Sequence, residues 1–210
     1  PLAQEARKYK SAEEFVKAQQ EKNIETLGIK TLQMDKRVGG GQTLGRYSPV
    51  ELGEERIFLK DLSNKSVRNH EITHALTKGT RVPWEEPYLG ELKKLVSDTT
   101  RGNFVGEGGV KEDIFQAVKR YESNAEKAKS GTEFSNPVYW KKQAENLSKR
   151  INYHLKDEEV LAKVGQKILD GDKNVFQDYP SLSKLVSEKL NKIIPDKSQL
   201  TDFYNQAVSK

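Results

Sequence analysis

Apolar residues recur at three- and four-residue spacing along most of this 210-residue chain, the pattern of amphipathic helices. Ser11-Ala12-Glu13-Glu14 reads as a capping box, with Ser11 as the cap and Glu14 reaching back. A helix is expected from Ser11 to Lys22, with Phe15, Val16 and Ala18 inward. Gly39-Gly40-Gly41 breaks the pattern. Thr43–Tyr47 and Glu55–Leu59 then read as two short strands, joined through Pro49 and Gly53. Asp61, Ser63 and Asn64 compete to cap a helix over Lys65–Lys78, which Gly79 would end. Pro83 and Pro87 bracket a loop. Helical spacing resumes at Tyr88–Ser97, Lys111–Lys129, Val138–Leu155 and Glu158–Asp170, with a glycine-rich stretch from Gly102 to Gly109 after the first. Pro180 and Pro195 punctuate two last helices, Ser181–Lys192 and Gln199–Val208. There is no internal repeat. The fold class is α+β: mostly helical, with one small antiparallel or mixed sheet.

Composition narrows the chemistry. Hydrophobic residues make up 34% and charged residues 32%, which fits many solvated helix faces. The 36 basic and 31 acidic residues are interspersed, and the net charge of +5 permits anionic partners without marking a nucleic-acid groove. Nucleic acid as a partner is therefore permitted by charge alone. Without cysteine there is no disulfide, thiolate ligand or cysteine nucleophile, so a transition-metal site must use His and carboxylate. Only three His are present, and two fall in one short motif. No stretch approaches a membrane span and no signal-peptide pattern opens the chain, so no membrane partner and a cytoplasmic location are expected. The chain opens at Pro1, which implies a removed initiator Met or a domain of a longer polypeptide. Oligomeric state is not legible.

The motif is His70-Glu71-Ile72-Thr73-His74. In a helix, residues four apart share a face, so both imidazoles can grip one ion. Glu71 lies roughly 100° around the helix from His70. From there its carboxylate can act on a metal-activated water without becoming a ligand, taking the proton as general base. The pattern resembles the metal-binding helix of zincin metallopeptidases. Val67 before it and Ala75-Leu76 after it agree with that family, while the charged Arg68 departs from it. The preceding strand, Glu55–Lys60, resembles the edge strand that in zincins lies above the site and binds an extended peptide.

The third ligand separates the zincin subfamilies. A metzincin needs Gly three residues after the second His and then a further His; here Thr77 stands there and the next His is His154. A gluzincin takes Glu from a later helix, often followed three residues on by a small residue. Glu159 with Ala162, in Asp157-Glu158-Glu159-Val160-Leu161-Ala162, is similar to that helix. Glu159 leads as the third ligand, with Glu158 and His154 as alternatives. Similar segments occur in metallopeptidase-like domains of phage polyproteins and plasmid antirestriction proteins, and Pro1–Ala18 resembles spacer sequence of such polyproteins. The resemblance spans Ile57–Leu76 and extends to Asn152–Leu169.

What the resemblance implies is a gluzincin-type zinc (Zn2+) peptidase acting on a protein or peptide. His70, His74 and Glu159 would hold the metal, Glu71 would be the general base, and Tyr153, His154 or Tyr179 would stabilise the oxyanion. The expected organisation is a helical extension over 1–38, a zincin-like core over 39–180 and a helical tail over 181–210. A phage-encoded protein of this kind would sit in the host cytoplasm or the virion. Two other readings belong to different classes: a structural or interaction module of a phage or mobile element, and an antirestriction-type factor.

Overall fold

The computed structural model describes residues 1–34, 43–51, 54–129 and 136–209. The expected glycine break at Gly39–Gly41 and the connector Gly53 lie outside them. The described elements run, in chain order, α1 (Leu2–Ala6), α2 (Ala12–Glu25), β1 (Lys30–Gln33), β2 (Gly45–Glu51), β3 (Glu54–Leu59) and α3 (Lys65–Thr77). They continue with α4 (Tyr88–Thr100), β4 (Phe104–Val105), β5 (Lys111–Glu112), α5 (Ile114–Lys129), α6 (Pro137–His154) and α7 (Asp157–Asp170). α8 (Val175–Asp178), α9 (Pro180–Leu190) and α10 (Lys197–Val208) complete the chain. The fold is α+β. No described helix is long and apolar enough to cross a membrane.

The chain divides into two compact units. One comprises Pro1–Lys78, Gly165–Lys173 and Lys184–Lys210; the other comprises Gly79–Val164 and Asn174–Ser183. The boundary at Val164 falls inside α7, which is one continuous helix.

In the first unit, Ser11 caps α2 by accepting from Glu14 N, and Glu14 reaches back to the N–H of Lys10. Phe15 is fully buried among Ala6, Tyr204 and Ala207, which ties α2 to α1 and α10. The sheet has the order β1-β3-β2. β1 runs parallel to β3, with Lys30 opposite Arg56, and β2 runs antiparallel to it, with Gly45 opposite Leu59. Ile57 and Leu59 of β3 are fully buried. This corrects the expectation of an edge strand at Glu55–Lys60: β3 is the central strand, and β2 is an edge. The reason is β1, a short strand exposed at every position, which carries no alternation to announce it. Pro49 lies within β2 rather than in a connector. An edge strand tolerates the missing N–H, and the pairing is irregular between Ser48 and Glu51.

In the second unit, Val96, Ile114, Ala117 and Leu147 form a core that gathers α4, α5 and α6. α5 starts at Ile114, not Lys111, because Asp113 and Gln116 make a reciprocal cap: Gln116 N donates to Asp113 Oδ1 and Asp113 N to Gln116 Oε1. Lys111 instead pairs with Val105 in the two-stranded β4–β5 ribbon. Glu91 is buried on α4 and accepts from the N–H groups of Ser181 and Leu182, which open α9. A carboxylate at that helix start is favoured by the exposed N–H dipoles.

Candidate metal centre

Of the three competing caps for α3, Asn64 is the one used: its side chain accepts from Val67 N at 3.0 Å. The helix packs against β2 and β3. Its polar interior positions are satisfied locally. Thr73, fully buried, donates to Asn69 O at 2.8 Å, and Thr77 to Thr73 O at 2.7 Å. Arg68, the departure from zincin pattern, donates to both carboxylate oxygens of Glu21 on α2, at 2.8 and 2.7 Å. Its charge is thus matched away from the motif face.

The next partner of α3 is the C-terminal half of α7. Gly165 lies so close to Thr73 that a Cβ there would fall 2.3 Å from Thr73 Cγ2 and 2.5 Å from its Oγ1. Only glycine permits that approach. Asn69 Nδ2 donates to Asp170 Oδ1 at 2.7 Å, Ser66 donates to Asp170 Oδ2, and Gln166 donates to Ser66 Oγ at 2.6 Å. Gln166 follows Glu159 by seven residues and lies on its side of the helix, while Gly165, six residues on, lies about 120° around it.

His70, His74 and Glu159 are all half-buried, and each offers a ligand atom; these atoms lie within 4.8 Å of one another. The two imidazole rings stand 4.8 Å apart at 85°. Ligand atoms about 2.1 Å from a common zinc are at most about 4.2 Å apart. Two imidazoles with one carboxylate form a donor set that suits a first-row ion. Glu158 is exposed and belongs to no such group among the described residues. Glu71 is buried, at 6% exposure, with its side chain against the edge strand β2: a Cβ at Gly45 would fall 2.8 Å from Glu71 Oε1 and 2.6 Å from Val67 Cγ1.

The three oxyanion candidates make different hydrogen bonds. Tyr153 donates to Glu159 Oε1 at 2.6 Å. His154 lies with Nδ1 2.9 Å from Lys163 Nζ. Burial, then the positive Lys163 and Arg150, push its pKa down to about 4, and Glu159 pulls the other way. A largely neutral ring thus accepts from the lysine. Lys163 itself is lowered by burial, with Glu159 opposing. Tyr179 is buried and donates to Asp98 Oδ2 at 2.7 Å, beneath the Lys94 ammonium. Three close contacts escaped the sequence reading: Tyr153 on Glu159, Gly45 under Glu71, and Asn69 on Asp170. Only the small-residue spacing around Glu159 hinted at the helix contact. Comparison of the chain with protein-family models, with curated proteins and with solved structures finds no match.

Proposed function

We propose that this protein is a zinc-dependent peptidase, with His70, His74 and Glu159 as metal ligands and Glu71 as general base. The observation that carries this reading is that His70, His74 and Glu159 form a group that could hold a metal ion, while Glu71 lies on another face of the helix that carries the two His. Bound there, zinc supplies Lewis acidity toward a carbonyl and lowers the pKa of water. The chain's own residues do the rest. Glu71 takes a proton onto its carboxylate as water attacks and returns it to the departing amine. Packing of Glu71 against Gly45 limits the rotations open to that carboxylate, so its proton-accepting oxygens are held in place before a substrate arrives. A site built only to staple the fold with metal has no use for a buried carboxylate beside its two imidazoles.

The test uses zinc-loaded protein and an unstructured protein substrate, with fragments counted by mass spectrometry. Glu71→Gln preserves the shape that packs on Gly45 and removes the base. Cleavage by the native chain, reduced about 10²–10⁴-fold in Glu71→Gln with zinc retained, is the expected result. Equal cleavage by the two proteins removes Glu71 from the mechanism, and loss of zinc from Glu71→Gln makes it a ligand instead.

A further inference from the structure

The elbow between α6 and α7 carries a cluster that the ligand set alone does not use. α6 ends at His154, Leu155 caps it in the αR conformation, and α7 begins at Asp157. Across this elbow the Tyr153 phenol donates to Glu159 Oε1 at 2.6 Å, within the range of hydrogen bonds to a charged carboxylate. The phenol ring has neighbours of its own. It meets the His154 ring edge-on with centroids 5.6 Å apart, and Lys156 Nζ lies 5.4 Å over its face. His154 in turn is joined to Lys163, one turn after Glu159 on α7, at 2.9 Å.

From this geometry we infer that Tyr153 is a positioning residue for the metal: its hydroxyl fixes the orientation of the Glu159 carboxylate, the ligand that the proposed centre takes from α7. The inference rests on the metal-centre reading above. Glutamate has a long, rotatable side chain, and ordering it on metal binding carries an entropy cost. A hydrogen bond already made in the metal-free protein removes part of that cost. Groups that orient metal ligands in this way typically change metal affinity about 10–100-fold when removed. The same geometry argues against Tyr153 as an oxyanion donor, because its proton is directed at Glu159.

The decisive experiment titrates Zn2+ into the full chain against a chromophoric chelator. Tyr153→Phe keeps the ring and deletes only the hydroxyl. It is expected to weaken zinc binding about 10–100-fold, with the metal-free melting temperature unchanged and turnover at saturating zinc largely retained. In a Glu159→Gln background the same change should add no further loss of residual zinc affinity, since the two act through one bond. Native zinc affinity in Tyr153→Phe overturns the inference and leaves the metal centre standing. So does unchanged affinity with turnover lost at saturating zinc, which would place the phenol on the substrate. If the native chain itself takes up no zinc, the metal-centre reading fails and takes this inference with it.

Discussion

At the residue scale, position on a helix face decides chemistry. Glu158 and Glu159 are adjacent and chemically identical, yet Glu158 is exposed while Glu159 is half-buried and accepts from Tyr153. His154 shows the same dependence on setting. Its folded pKa of about 4 lies below the ordinary 6.5 because burial and two nearby cations disfavour the charged ring. Between those values the unfolded chain takes up a proton that the folded protein refuses. The contribution of neutral His154 to stability is therefore complete above about pH 6.5 and is lost as pH falls toward 4. Urea unfolding of metal-free protein across that window should show stability falling with pH, and a shallower fall in His154→Gln, which has no proton to take up. Identical pH slopes for the two proteins would mean that His154 titrates normally in the folded state.

At the element scale, the contact between α3 and α7 depends on the absence of a side chain at Gly165. Gly165→Ala would drive a methyl group into the fully buried Thr73, and overpacking of this kind costs about 1–3 kcal/mol. Denaturant unfolding should show that loss, with weaker zinc binding alongside. Thr73→Ala in the same chain should recover part of both, because the two residues share one space. No loss in Gly165→Ala would mean that the helices can part without consequence. These two helices were the most legible elements of the sequence: Asn64 was among the caps offered, the His-Glu-x-x-His spacing needs a helix, and Ala162, three residues after Glu159, suggested a close approach. The sheet was legible only in part. Lys30–Gln33 is exposed throughout and lacks the alternation that marks a strand, so the central place of β3 was hidden with it. The β4–β5 ribbon lay in a glycine-rich stretch that reads as loop. Tyr153 and Glu159 sit six residues apart across a helix break, a spacing that no periodic rule links.

At the scale of the whole molecule, the proposed metal ligands are far apart in sequence. His70 and His74 come from one helix, and Glu159 from another that follows α4, α5 and α6. The unfolded chain offers no such preformed triad, so metal affinity is a property of the fold. The measurement that tests the account most directly is zinc content per chain, after purification without added metal and dialysis against trace zinc, in the native protein and four variants. The account predicts about one zinc per chain in the native protein and in Glu158→Gln. It predicts loss of that zinc in His70→Ala, in His74→Ala and in Glu159→Gln, because two remaining ligands do not complete a stable site. Stoichiometric zinc persisting in either His variant, or loss of zinc from Glu158→Gln with retention in Glu159→Gln, would contradict it.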